Sequence, residues 1–280
     1  MAGCDASGTS LVRLPGDRRI RALVAGPPRS DNRAVNEPAH DGYRPKEYWS
    51  ARLSSEFNLR GTGHICYSEG YNRWLYRAKA RVLRRGLRGL PRPARALDIG
   101  SGSGWVVDQL LAWGADVEGC DVAEVAVERL RQTRPAATFF AAEWGRAPLP
   151  RPDSSFDLVT LLDVAYHVVD DDQWAAGVGD VARILRPGGR LIVTDAFARG
   201  DADPAPHVRF RARTRWEDAA RRAGLVPVAV MRYVSWLSRP REAPGFGWMS
   251  DIVRGAVEYG LEVVAPRPAH LRGAVFVRQR

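Results

Sequence analysis

Lysine is almost missing from this chain: of 42 basic residues only Lys46 and Lys79 are lysines. Cysteine is scarce too, with Cys4, Cys66 and Cys120 widely scattered. Three thiols at such separations offer no metal-ligand spacing and no disulfide framework, and predict a reducing, cytoplasmic setting. No run approaches the ~20 apolar residues of a membrane span, and Met1 to Ile20 lacks the continuous apolar core of a secretory signal. Acidic residues are sparse at one end: residues 1–95 hold 19 basic and only 8 acidic side chains, enough to account for the whole net charge of +10. A basic region of this kind attracts RNA or anionic ligands. The arginine bias, beside abundant Ala and Gly, reads more simply as the mark of a GC-rich genome.

Hydrophobic residues make up 45% of the 280, enough to bury the core of one α/β domain with additions. Residues 1–40 alternate Gly, Ser, Pro, Asp, Asn and Arg and predict a flexible tail. Order is expected from about Tyr43, with residues 41–92 a helical cap. Apolar residues at helical spacing (Tyr71, Trp74, Leu75, Ala78, Val82) predict a helix from Ser68, its N-cap, to about Gly86. From residue 93 strand and helix alternate. Strands are expected at 95–99, 116–121, 137–141, 156–162 and 189–195, and helices at 104–113, 123–133 and 171–186. A helix over 214–223 and two closing strands, 226–235 and 274–277, complete a doubly wound, mostly parallel sheet. Residues 239–270 form an insertion before the last strand, with a helix near 249–259 and a possible role as substrate lid.

Residues 96–121 carry the chemistry. An apolar stretch ends in Asp98; Gly100, Gly102 and Gly104 follow at alternate positions; a second apolar stretch ends in Asp121. Glycines at a strand-to-helix turn let a ligand approach the backbone, and an acid at the tip of the next strand can accept both hydroxyls of a ribose. The dinucleotide pattern G-x-G-x-x-G would need glycine where Trp105 stands. That disfavours a nicotinamide-dependent reductase.

The pattern D-x-G-x-G-x-G, with Phe156-Asp-Leu-Val, Asp163-Val-Ala-Tyr-His167 and Leu-Arg-Pro-Gly-Gly-Arg-Leu-Ile-Val, resembles the class I S-adenosylmethionine (SAM) methyltransferases over roughly residues 93–235. The resemblance implies a Rossmann-like sheet and SAM as cofactor. It implies that Asp98 helps hold the methionine end, that Gly100, Gly102 and Gly104 make room for it, and that Asp121 takes the ribose. Glu143, followed by Trp144, is the match for the acid facing the adenine amino group, with Gly145 the competing alignment. Plainer roles stand beside these: Asp98 or Asp121 as helix caps, Glu143 as a surface residue, Trp105 as core. The family needs no metal, and none is expected here; Asp163 and Asp195 at strand ends are not a compelling ligand set.

A small-molecule acceptor is expected, with oxygen the acceptor atom. A hydroxyl needs help losing its proton, which suits histidine. Among five histidines, His167 is the best placed, after the fourth strand, with one of Asp170, Asp171 or Asp172 expected to orient it and raise its pKa. His64 is second, and Tyr67, Tyr71 and Tyr166 are candidates to face the acceptor. Asp163-Val-Ala-Tyr166 stands where methylases of nucleic-acid amines carry Asn/Asp-Pro-Pro-Tyr/Phe, which disfavours base methylation. The competing readings are an RNA methyltransferase using the basic N-terminal region and a non-catalytic SAM-binding protein.

Overall fold

A computed structural model describes residues 42–237, 250–264 and 268–279, with a two-residue strand pair, Gly3–Cys4 against Ser10–Leu11, ahead of them. The expected tail at 1–40 otherwise lies outside the described residues, as do 238–249 of the insertion.

Helix α1 spans Pro45–Ser55, and proline at its start supplies the helical φ without wasting a donor. Helix α2, Glu69–Leu87, opens on Ser68, whose hydroxyl accepts from the Tyr71 amide, and ends on Arg84 and Arg85, which suit the negative end of its dipole. The sheet then follows: β1 Arg95–Ile99, α3 Trp105–Trp113, β2 Asp116–Asp121, α4 Glu124–Thr133, β3 Thr138–Ala141, β4 Phe156–Leu161, α5 Asp171–Ile184, β5 Leu185–Asp195, α6 Arg213–Arg222, β6 Leu225–Val234, α7 Asp251–Val264 and β7 Leu271–Arg278. The spatial order is β6-β7-β5-β4-β1-β2-β3. The five strands β1 to β5 run parallel, and β7 and β6 close the edge antiparallel. The strand order turns back between β1 and β4, the place where open α/β sheets bind ligands at their carboxyl edge.

Alternation along the strands builds two cores. Leu158, Ile192 and Val275 face the side covered by α2 and α3; their neighbours Val159, Leu191 and Phe276 face α5 and α6. Strands covered on both faces read as continuous apolar runs, which is why β4 was legible. Each fully buried leucine, such as Leu97 and Leu110, contributes about 1.5–3 kcal/mol.

Three features depart from expectation. Helix α1 has no apolar stripe of its own; Leu53 packs on Ala123 and Ala126 of α4, so the helix depends on that contact. Strand β5 starts at Leu185 and includes Pro187, Gly188 and Gly189 as an irregularity opposite β4, where a helix stop and turn were expected. An unanticipated hairpin, Ala202–Ala205 with Val208–Phe210, carries His207 in its turn. The expectation of no disulfide is corrected at one position: Cys66 is disulfide-bonded, whereas Cys120 is free and buried.

Helix α7 packs on α2 rather than on the carboxyl edge of the sheet. Tyr71 donates its hydroxyl proton to Glu258, which also pairs with Arg254 at 2.7 Å. Glu262 accepts from the amides of Ser235, Trp236 and Leu237, tying the helix to the end of β6. Among the described residues, none of the insertion reaches the cavity described below, so the part seen clasps the cap.

Candidate active site

A cavity with about 880 Å³ of space, part of it open to solvent, lies over the carboxyl edge of β1, β2, β3 and β4, roofed by α1 and α2. Its floor is the glycine turn. Gly100, Gly102 and Gly104 have φ of 75°, 52° and 86°, the left-handed region that glycine enters without strain. A Cβ on Gly102 would lie 2.5 Å from the Thr62 methyl of the cap, and one on Gly104 would strike Leu130 and Arg134 of α4. Gly100 and Gly102 line the cavity; Gly104 does not, and its freedom serves the packing of α4 against the turn. Thr62 closes the roof onto the turn, its hydroxyl 2.6 Å from that of Tyr76 and 3.1 Å from that of Ser103.

Asp121 lines the cavity at the tip of β2. Its Oδ2 accepts from the Gly102 amide at 2.8 Å and its Oδ1 from the Ala123 amide at 2.9 Å. It therefore ties β2 to the glycine turn and caps the approach to α4. Each oxygen keeps a second lone pair. Glu143 and Trp144 also line the cavity, and Gln173 of α5 donates to Glu143 Oε1 at 3.1 Å and to the Trp144 carbonyl at 2.9 Å. Trp144 is buried, with no protein acceptor for its Nε1–H. Asp98 sits one layer down, outside the lining. Its Oδ1 accepts from Thr160 at 2.7 Å, and its Oδ2 is buried with no protein donor. Burial pushes this carboxyl up to about 7, against the hydrogen bond from Thr160 and the charge of Lys79. A buried acid with an orphan oxygen, and a second carboxylate close by, suits a ligand carrying positive charge.

The other end of the cavity is built from β4 and the cap. Asp163, at φ 60°, stands two residues past the end of β4. Both its oxygens are engaged: Oδ1 by Thr194 Oγ1 at 2.7 Å, Oδ2 by Tyr233 at 2.8 Å and by Lys79 Nζ at 2.9 Å. The Lys79 ammonium also lies 4.1 Å from the Tyr76 ring centroid. Burial opposes both charges of the pair, but each holds the other ionised: Lys79 above its ordinary value and Asp163 below it.

His167 lines the cavity, and its Nδ1 lies 2.8 Å from the His207 carbonyl. A carbonyl only accepts, so Nδ1 carries the proton and the lone pair is on Nε2. The expected orienting aspartate is absent. Asp170 caps α5 by accepting from Gln173, and Asp171 is held by Arg209, Arg211 and Arg215. Burial and the neighbouring His207 push His167 down to about 3, the reverse of the expected rise. The two imidazoles stack at 5.6 Å and 9°, with Trp49 edge-on to His167 at 5.0 Å.

His64, Tyr67, Tyr71 and Tyr166 do not line this cavity. Tyr67 and Tyr71 stack on each other at 4.1 Å in the core beneath the cap, and His64 packs on Tyr67. Tyr166 lies behind His167, against Phe210. Lys79, Tyr43 and Trp49 line the cavity instead, and Trp105 both packs on Tyr76 and faces the cavity. Among the described residues no cluster of three metal-ligating side chains occurs, and no helix is long and apolar enough to cross a membrane.

A seven-stranded sheet in this order, with a glycine turn after β1 and an acid at the tip of β2, defines a class I SAM-dependent methyltransferase. The chain belongs to the methyltransferase-domain family, whose model matches residues 71–230. It is 35% identical over 101 residues to a demethylmenaquinone methyltransferase of Beutenbergia cavernae, covering 36% of this chain and 40% of that one. It is 37% identical over 106 residues to the 27-O-demethylrifamycin SV methyltransferase of Amycolatopsis mediterranei, covering 36% and 38%. The matched stretch thus spans less than half the length of these curated relatives. Among solved structures, a SAM-dependent methyltransferase of Mesorhizobium loti superposes with a TM-score of 0.54 at 21% identity, covering 72% of this chain and 98% of that one. The 1,6-didemethyltoxoflavin-N1-methyltransferase of Burkholderia thailandensis, crystallised with its acceptor and S-adenosylhomocysteine, superposes with a TM-score of 0.53 at 18% identity, covering 88% and 94%. At these identities the superpositions speak for the fold.

Proposed function

We propose that this chain methylates a hydroxyl group of a small molecule, with His167 as the base. The observation carrying this reading is the 2.8 Å approach of His167 Nδ1 to the His207 carbonyl, which leaves Nε2 as an acceptor on the cavity wall. Asp121 receives the ribose hydroxyls and Glu143 the adenine amino group, Asp98 acts on the positive methionine end from beneath the lining, and Gly100 and Gly102 leave the backbone open. When bound, SAM supplies a methyl group on a positively charged sulfur. The remaining tasks, alignment and exclusion of water, fall to the cap and the glycine turn.

His167 is a weak base, and a weak base suffices. It stays neutral through the physiological range, so its lone pair is available to the hydroxyl. The hydroxyl proton becomes strongly acidic as its oxygen gains the third bond, and it then passes to Nε2. Two relatives are named as methyltransferases of demethylmenaquinone and of 27-O-demethylrifamycin SV, which accords with a small-molecule acceptor.

The test is calorimetric titration with S-adenosylhomocysteine (SAH), with NADH as control, followed by transfer of labelled methyl from SAM to a panel of hydroxyl and amine acceptors. Micromolar binding of SAH alone, with label in ether products, is expected. Label confined to amines overturns the choice of oxygen, and NADH binding in place of SAH overturns the whole reading.

A further inference from the structure

The acceptor end of the cavity displays a short, definite set of polar groups. Asp163 is spent, since Thr194, Tyr233 and Lys79 occupy both of its oxygens. His167 presents a lone pair. Lys79 presents its ammonium: one N–H faces Asp163, the ring of Tyr76 covers another direction, and among the described residues no further acceptor pairs with it. Lys79 is only 4% exposed and its side chain still reaches the cavity wall. A buried ammonium with an unused donor costs free energy that a ligand oxygen removes.

The surrounding wall is aromatic. Tyr43, Trp49, Tyr76, Trp105 and His167 line the cavity around these groups, and flat rings gain most of their contact energy against such faces. Charge narrows the choice further. The lining already carries Asp121, Glu143 and Asp163 against the single ammonium of Lys79, so an anionic acceptor would meet repulsion.

We infer that Lys79 anchors the methyl acceptor, and that this acceptor is a planar aromatic molecule bearing a neutral carbonyl oxygen as well as the hydroxyl that is methylated. The carbonyl accepts from Lys79 while the hydroxyl donates to His167. This deepens the reading given above and rests on it. It also assigns a role to one of the only two lysines in a chain whose other basic residues are arginines.

The probes are a hydroxyaryl ketone (a hydroxyacetonaphthone with hydroxyl and carbonyl on different rings), the corresponding naphthol, and the corresponding hydroxynaphthoate. Each is titrated calorimetrically into the full chain saturated with SAH. Wild type is expected to bind the ketone about tenfold or more tighter than the naphthol, the effect of one hydrogen bond to a charged donor, and tighter than the carboxylate. Lys79→Met removes that preference and keeps SAH affinity. Because Lys79→Met leaves Asp163 without its counter-charge, Lys79→Met/Asp163→Asn is the second variant, and the same loss of preference is expected. A ketone preference that survives in either SAH-binding variant overturns the inference. So does a wild type that binds the naphthol as well as the ketone, binds the carboxylate best, or binds none of the three. Failure of wild type to bind SAH overturns the methyltransferase reading itself, and is seen before any probe is added.

Discussion

Replacing Asp121 by asparagine separates two jobs that one side chain performs. In the wild type both carboxylate oxygens accept backbone N–H groups, from Gly102 at 2.8 Å and Ala123 at 2.9 Å. Asparagine keeps one acceptor and turns an NH₂ toward the other N–H, so one charge-assisted bond is lost and a buried donor is left unpaired. Charge-assisted bonds are worth about 1.5–3 kcal/mol and an orphaned buried donor costs about 1–3 kcal/mol. The two overlap, so about 2–4 kcal/mol of stability should disappear, read as a lower urea midpoint at unchanged slope. The ribose hydroxyls lose a charged acceptor as well. SAH affinity should fall about 10- to 100-fold, at ~1.4 kcal/mol per tenfold, measured by calorimetry at a temperature where both proteins are folded. Lost stability with unchanged SAH affinity would leave Asp121 as a cap of the glycine turn and α4 and refute the ribose assignment. If neither quantity changes, the hydrogen-bonded turn itself is wrong.

Gly102→Ala places a Cβ 2.5 Å from the Thr62 methyl at a φ of 52°; the left-handed backbone alone costs about 1–2 kcal/mol. Adding Thr62→Ala should recover the clash and leave the backbone cost, and a double variant no better than the single would place the strain elsewhere. Nitrogen NMR of the imidazoles should show His167 with its proton on Nδ1 and no titration between pH 5 and 8, because burial holds it at about 3; a ring protonated on Nε2 contradicts the proposed base. Asp98, raised to about 7 in the fold, binds more protons folded than unfolded between about pH 4 and 7. Wild-type stability relative to Asp98→Asn should therefore fall as pH rises through that window, by on the order of 4 kcal/mol. His167 and His207, both lowered, pull the other way in each protein and cancel in the comparison; a flat difference would mean that Asp98 is not desolvated.

The cofactor half was legible because its signals are local. Strands β1 and β2 end at Ile99 and Asp121 where an apolar run meets a glycine turn or an acid, and no distant contact is needed to read them. Helix α2 was legible as a helix but not in its orientation. Tyr71, Leu75, Ala78 and Val82 form the stripe that meets the sheet, so Tyr71 is core, and the adjacent stripe of Tyr76 and Lys79 meets the cavity. Periodicity finds the buried face and says nothing of a second buried face beside it. The orienting partner of His167 was sought among its neighbours in sequence, where three aspartates follow. The observed partner is a carbonyl 40 residues away, in a hairpin turn whose composition announces no strand. A backbone acceptor leaves no side-chain signature at all.

The two halves of the cavity are thus written in different ways. Residues 99–144 line the half proposed to hold the cofactor, from three successive strand tips. The half proposed for the acceptor draws Tyr43 from just before α1, Trp49 from α1, Tyr76 and Lys79 from α2, Asp163 and His167 from the loop after β4, and a carbonyl from the hairpin. Arg211 binds the last two together: it is fully buried and donates to the carbonyls of Val168 at 2.8 Å and Asp170 at 3.1 Å, while Asp171 pairs with it at 3.0 Å. The hairpin can therefore hold His207 against His167 without contributing to the cofactor half. On the proposed reading, changes in the cap or the hairpin alter what is methylated, while the strand tips keep what donates. That division explains how one sheet serves many acceptors. It also explains why Lys79, carried by the cap and balanced by the sheet through Asp163, lies where acceptor choice and cap closure meet.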